Sequence, residues 1–156
     1  MKNLFFVFCA VFLLACSKAA DPAPTPVAPA PTPAELVKKV WSASQVQWDG
    51  TTQYDKTSSS NLVAGYSQFR LDLSSSTAAS LTEFDGKKFT GTYSISSDTK
   101  KLTLSGLTSS EGAPSGTNGI LEFTILSTPT ATSLSLETTG TYVKASSKKV
   151  KLTLAP

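Results

Sequence analysis

The chain has 156 residues, a net charge of +3 and only 16% charged residues, against about 25% in average soluble domains. So small a net charge argues against a nucleic-acid partner. Histidine is absent, and the two cysteines, Cys9 and Cys16, both lie near the N-terminus. A Ser-His-Asp triad, a His-bound metal and a thiolate site in the body are therefore excluded, and we predict no enzymatic activity, metal site or cofactor.

The N-terminus carries a short apolar segment. Lys2 precedes an almost unbroken apolar run over residues 4–15, which ends at Cys16. About a dozen residues are too few to span a bilayer, which takes roughly 20, but they suit the core of a secretory signal. An ordinary signal peptide with a coincidental cysteine is the alternative.

The last four residues of this segment, Leu13-Leu14-Ala15-Cys16, resemble the lipobox of bacterial lipoproteins. The resemblance implies removal of residues 1–15 and acylation of Cys16, which would attach the chain to a lipid bilayer. Two or three acyl chains give a stable anchor. Because Ser17, and not aspartate, follows the cysteine, we expect the cell envelope, at the outer membrane, as the location.

A proline-rich linker follows over residues 16–33. Proline at nearly every second position forbids helix and sheet and favours extended polyproline II, which is typical of a semi-rigid spacer. Thr32-Pro33-Ala34-Glu35 has the pattern of a capping box, which predicts a short helix to about Lys39. The domain is therefore predicted to span residues 34–156.

Beyond Lys39 the apolar residues recur with a period of two, which indicates strands. The segment between Gly50 and Gly65 is polar and is predicted as a loop. A second breaker-rich loop is expected at residues 106–118. The predicted strands lie at residues 40–48, 69–73, 78–84, 89–95, 102–104, 121–125, 134–143 with a bend at Gly140, and 150–154.

About eight strands joined mainly by short turns favour an all-β, antiparallel up-and-down meander, because no helix is available for a parallel crossover. Such strands either close into a barrel or fold into a sandwich. The order Trp41, Phe69–Leu73, Asp85-Gly86, Phe89–Tyr93 and Leu121–Leu126 resembles the lipocalin-like domains of small bacterial lipoproteins. That resemblance implies a β-barrel of uncharacterised function, although Lys39 replaces the glycine of the Gly-x-Trp motif.

The aromatic residues divide into two groups. Five on apolar strand faces are candidates to line a ligand cavity or, more simply, to fill the core: Trp41, Phe69, Phe89, Tyr93 and Phe123. Trp48, Tyr54 and Tyr66 lie in or beside polar segments and would be contact residues if they were exposed together at one rim.

The charged residues suggest surface roles. Glu83 is predicted as a surface residue at a strand end, and Asp85 as a turn residue. Lys144, Lys148, Lys149 and Lys151 are predicted to lie on a solvated hairpin that protects a sheet edge.

Two hypotheses for function remain open. The first is a monomeric, lipid-anchored barrel that holds a small apolar ligand. The second is a filled barrel that presents residues 50–66 and 106–118 to another envelope component. Neither involves nucleic acid.

Overall fold

The structure, a computed structural model, describes residues 28–156. The signal segment and Cys16 lie outside these residues. One α-helix, α1 (Pro33–Val37), precedes nine strands in the described part. They are β1 (Val40–Trp48), β2 (Thr51–Asp55), β3 (Arg70–Asp72), β4 (Ala78–Thr82), β5 (Lys88–Ile95), β6 (Lys101–Thr108), β7 (Leu121–Ile125), β8 (Leu134–Thr138) and β9 (Val150–Ala155).

Helix α1 begins with the predicted capping box. The Thr32 backbone N–H donates to Glu35 Oε2 at 2.7 Å, and the Glu35 N–H donates to Thr32 Oγ1 at 3.3 Å. Pro33 occupies the first helical position, where a missing N–H costs nothing. The helix ends at Val37, two residues before the predicted end, and Val37 is buried. None of the helices among residues 28–156 is long and apolar enough to cross a membrane.

The strands form one closed antiparallel barrel. From β3 to β9 each strand pairs with the next along the chain, and β9 returns to pair with β1 from Ser42 to Trp48. The opposite edge of β1 pairs with β3 through Val40–Ser42 and with β2 through Gln45–Trp48. Closure confirms the barrel and excludes the sandwich, and it leaves no long unpaired edge between first and last strands.

The barrel interior is filled by the inward-facing side chains. Along β9, for example, Val150, Leu152 and Leu154 are buried while the residues between them are half-exposed. This alternation is the predicted period of two, and through it the strands from β3 to β9 direct one face to a single core. Trp41 is the largest side chain with no solvent exposure at all.

Three segments differ from the prediction. Residues 51–55 form β2, where a loop was expected, because Asp49 and Gly50 both take positive φ angles (45° and 82°) and turn the chain back onto β1. β6 continues to Thr108, past the expected start of the loop at residue 106. β8 ends at Thr138 and does not run on to Val143. The chain forms a 3₁₀ turn at Val143–Ala145 instead.

Candidate functional site

A small cavity lies inside the barrel near one end. Its volume is about 30 Å³, which holds one or two water molecules, whereas ligand sites usually measure about 300–1,000 Å³. The walls are mostly apolar. They are formed by Tyr66, Phe69, Leu81, Glu83, Phe84, Leu121, Phe123, Thr138, Tyr142, Val150 and Leu152.

The five predicted lining residues separate into two groups. Phe69 and Phe123 line this cavity, whereas Trp41, Phe89 and Tyr93 do not. The Trp41 indole N–H donates to the carbonyl of Val37 at 2.8 Å, which holds β1 against α1. All five are less than a tenth exposed, so they belong to one continuous core.

An aromatic cluster closes the cavity on one side. Tyr66 lies in a 3₁₀ turn, Ala64–Gln68, and its ring centroid is 4.9 Å from that of Phe84. The Trp48 indole N–H donates to the Tyr66 hydroxyl at 2.9 Å. Gly65 permits this contact, because a Cβ at that position would lie 2.2 Å from the Phe84 carbonyl oxygen. Burial raises the pKa of Tyr66 to about 12, so the phenol stays neutral.

The structure therefore corrects the rim prediction. Trp48, Tyr54 and Tyr66 do lie together, but Tyr54 and Tyr66 are only 6% and 2% exposed. They are buried because the chain between β2 and β3 folds over the barrel end and places both rings against the core. An exposed aromatic contact surface at this rim is excluded.

A buried charge cluster also borders the cavity through Glu83. Glu83 is 3% exposed, contrary to the prediction of a surface residue, and it pairs with Lys144. The Lys144 ammonium also donates to Asp85 Oδ2 at 2.7 Å. Glu83 is buried because it continues the inward face of β4 after Ala79 and Leu81. The prediction of Lys144 as a solvated hairpin residue is also wrong, because its side chain is only 14% exposed and pairs with Glu83 and Asp85.

Burial and hydrogen bonds together shift the pKa values of the three charged groups in different directions. Burial raises the pKa of Glu83, and this outweighs the hydrogen bond from Lys144 that lowers it. Burial would lower the pKa of Lys144, but its hydrogen bonds to Asp85 and Glu83 raise it in sum. Burial also opposes ionisation of Asp85, yet Lys144 and the Lys87 N–H hold its pKa below the usual range. The cluster thus contains a firmly charged cation beside a carboxyl that is costly to ionise.

Two buried polar atoms of the described chain lack a hydrogen-bond partner in the protein: Glu83 Oε1 and the Tyr142 hydroxyl. Both side chains line the cavity. Each is more than nine-tenths buried, so an unsatisfied oxygen there costs about 1–3 kcal/mol. A cavity with apolar walls and two unpaired oxygens is suited to a small molecule that supplies hydrogen-bond donors.

Tyr142 also separates the cavity from an outer groove. The groove measures about 300 Å³ and lies between residues 116–122 and residues 138–142. Leu121, Thr138 and Tyr142 line both spaces. The cavity and the outer groove are therefore neighbours, with these three side chains between them.

Replacing Tyr142 by phenylalanine is expected to raise the free energy of unfolding by about 1 kcal/mol or more, because it removes a buried hydroxyl that makes no hydrogen bond within the protein. Tyr93→Phe is the matched control. The Tyr93 hydroxyl lies 2.7 Å from the Ser75 carbonyl and 3.1 Å from that of Leu73, so its loss should cost about 1–1.5 kcal/mol. Urea denaturation measures both. Equal losses would show that the Tyr142 hydroxyl has a partner.

Sequence reasoning missed this site for an identifiable reason. Glu83 has the same parity as Ala79 and Leu81, so the period-two pattern of β4 already placed it inward. Lys144 follows β8 at a distance of 61 residues from Glu83, and their pairing depends on barrel closure. The inward position of Glu83 was therefore predictable from the sequence, whereas its pairing with Lys144 was not.

Comparison with known proteins gives information about the fold. The chain matches no family model, and no curated protein is similar to it in sequence. A solved structure of a lipocalin-like protein from Bacteroides uniformis superposes with a TM-score of 0.50 and 17% identity, covering 77% of this chain and 97% of that protein. An uncharacterized protein from Bacteroides eggerthii gives a TM-score of 0.46 at 14% identity, covering 75% and 96%. Eight strands, β1 and β3–β9, close the barrel. This closure and the similarity to the Bacteroides uniformis structure together show that the chain has a lipocalin-like barrel fold.

Proposed function

We propose that the chain is a lipid-anchored protein of the bacterial cell envelope whose barrel binds a small apolar ligand. The observation that carries ligand binding is the cavity at the barrel end, with its aromatic walls and the two unpartnered oxygens of Glu83 and Tyr142. We also propose a binding role and not catalysis. The chain has no histidine, and Lys144 already neutralises the buried carboxylate.

The sequence supports the anchor. Leu13-Leu14-Ala15-Cys16 ends an apolar segment of signal length, and a proline-rich spacer separates Cys16 from the first helix. At ~3.1 Å per residue an extended spacer of this size would hold the barrel up to about 50 Å from the bilayer. That clearance suits a domain that acts from a membrane surface, and Ser17 favours the outer membrane.

Replacing Cys16 by serine is expected to release the protein from the membrane, because the lipid is attached through the cysteine sulfur, which serine lacks. Fractionation of a bacterial host should move the protein from the detergent-soluble membrane fraction to the soluble fraction. Cys9→Ser, within the apolar segment, is the matched control and should remain membrane-bound. A Cys16→Ser protein that stays with the membrane would contradict the anchor.

Native mass spectrometry of protein purified from its own bacterium tests the ligand. We expect a second, heavier species whose added mass is removed by denaturation and corresponds to one small molecule. Protein with only the mass of its acylated chain would contradict ligand binding.

The second candidate is an interaction module. The small size of the cavity favours it, as do two exposed apolar side chains on the loops beside the outer groove, Ile120 (52% exposed) and Val143 (54%). Val143 packs against Gly116, which brings these loops together. If this candidate is correct, Val143→Asp should abolish a specific cross-link to an envelope component, while Val40→Asp, in β1, should not.

A further inference from the structure

The surroundings of the Lys144 ammonium indicate which ligand this end of the barrel would bind, an inference that rests on the ligand-binding function proposed above. The ammonium lies 2.7 Å from Asp85 Oδ2, contacts Glu83 Oε2, and is 5.7 Å from the centroid of the Phe89 ring. Two carboxylates and an aromatic face are the groups that bind alkylammonium ions. The protein thus already holds one such ion, on its own lysine side chain.

The cluster has the capacity for a second cation. Its two carboxylates face one ammonium, and Lys87, the next cation nearby, pairs with Glu111 on the surface. Glu83 Oε1 therefore remains without a donor although its other oxygen is paired. The Tyr142 hydroxyl, which also lines the cavity, can accept a further hydrogen bond.

The remaining walls select for an apolar chain. Phe69, Leu81, Phe84, Leu121 and Phe123 surround the cavity, and a volume of about 30 Å³ admits only a few heavy atoms. A longer chain would have to displace the Tyr142 ring and extend into the outer groove of about 300 Å³. The two spaces together reach the lower end of the usual size of a ligand site.

We propose that this end of the barrel binds a small primary amine with an apolar chain. The ammonium donates to Glu83 Oε1 and to the Tyr142 hydroxyl, and the chain lies against Phe84 and Phe123. Lys144 stays paired with Glu83 Oε2 and Asp85 Oδ2 beside the ligand.

Titration of the full-length chain in detergent micelles with three ligands of equal length tests this proposal: n-butylammonium, n-butanol and n-butyrate. The readout is the NMR signal of the Trp48 indole N–H, which donates to Tyr66 at the cavity wall. The Trp41 indole N–H is the internal control, because Trp41 does not line the cavity. We expect butylammonium to bind at least about tenfold more tightly than butanol, since charge-assisted hydrogen bonds are stronger, and butyrate not to bind.

Two variants locate the ammonium. Glu83→Gln keeps the shape and removes the charge, so it should weaken butylammonium binding about tenfold or more and leave butanol unchanged. Glu137→Gln is the matched control, because Glu137 lies on the outward face of β8 and lines neither the cavity nor the outer groove. Lys144→Met removes a neighbouring positive charge that repels the ligand's ammonium and should tighten butylammonium binding. The selectivity of the wild-type chain decides the question even if a variant fails to fold.

The outcomes separate the ligand class from the proposed function. Equal binding of butylammonium and butanol would contradict the proposal that the ligand is an amine, but it would still support binding of a small apolar ligand. Stronger binding of butyrate would also contradict an amine ligand, because the site would then prefer a negative charge. If none of the three shifts the Trp48 signal, the amine is overturned. Native mass spectrometry then tests the proposed function. A copurified molecule of another class would support ligand binding, and protein without a copurified molecule would contradict ligand binding as well.

Discussion

Trp41→Ala is expected to lower the free energy of unfolding by about 3–5 kcal/mol, the usual cost of truncating a fully buried aromatic residue. Trp41 has no solvent exposure, and its indole N–H donates to the Val37 carbonyl at 2.8 Å. The substitution therefore opens a cavity beneath α1 and also removes one of the two hydrogen bonds that the Val37 carbonyl accepts, the other coming from the Lys39 N–H. Both effects act at the point where β1 enters the barrel and pairs with β3 and β9.

Two further substitutions apportion this loss. Trp41→Phe keeps most of the buried ring and should lose about 1–2 kcal/mol, partly for the missing hydrogen bond. Trp48→Phe, at a half-buried residue whose indole donates to Tyr66, should lose less than Trp41→Ala. Urea denaturation followed by far-UV circular dichroism suits all three, because fluorescence would change with the substitution itself. A loss under about 1 kcal/mol for Trp41→Ala would show that the core collapses around the site.

The fold was predictable to the extent that side chains alternate along each strand. The first strand, Val40–Trp48, has its predicted bounds, and β9 follows from Val150, Leu152 and Leu154. Closure into a barrel was predicted by resemblance, and the pairing of β1 with β9 confirms it. Local periodicity alone left barrel and sandwich equally open, because strand closure is a long-range contact.

β2 was missed because its burial does not alternate. Gln53 and Tyr54 are adjacent and both buried, opposite a register shift between Val46 and Gln47 in β1. A bulge of this kind places neighbouring residues on the same side of the sheet and removes the period-two pattern. No count of apolar residues in Thr51–Asp55 would have identified the strand.

The site could be predicted only in part. Its aromatic walls include Phe69 and Phe123, which the strand pattern had selected. The covering side chains come from turns: Tyr66 from one 3₁₀ turn and Lys144 from another. Their positions depend on how connections fold over the barrel end, and the sequence of a connection contains no period that would reveal it.

Lys144→Met is expected to lower the free energy of unfolding at neutral pH by about 3–5 kcal/mol, because it leaves the carboxylate of Glu83 buried without its cation. The buried partner makes this cost large, since the Glu83 side chain is 3% exposed and the Lys144 side chain 14%. Lys87→Met is the matched control. It removes an ion pair to Glu111 in which both side chains are about half exposed or more, and should cost less than about 1 kcal/mol.

The stability that Lys144→Met loses relative to the wild-type chain should increase as pH rises. Burial already raises the pKa of Glu83 in the wild-type chain, and removing Lys144 should raise it further. A carboxyl whose pKa is higher in the folded than in the unfolded state stabilises the protein below its unfolded pKa of 4.5, and that stability is lost as pH rises through the folded value. The difference between Lys144→Met and the wild-type chain should therefore be largest at neutral pH and smallest near pH 4.

The wild-type chain must be measured at each pH, because other carboxyls act in the opposite direction. Hydrogen bonds from Ser74 lower the pKa of Asp72, and Ser96 and Lys100 lower that of Asp98. These groups lose their contribution as pH falls, in variant and wild-type chains alike. The difference between the two chains reports on the two carboxyls that Lys144 contacts, Glu83 and Asp85.

The double variant Glu83→Gln/Lys144→Met completes the cycle. With no charge left to bury, it should recover most of the stability that Lys144→Met loses, because replacing both members of a buried pair avoids the uncompensated ion. The coupling energy between the two positions should be at least about 2 kcal/mol, as expected for residues in direct contact. A double variant as unstable as Lys144→Met would show that the loss of stability does not come from the unpaired charge of Glu83.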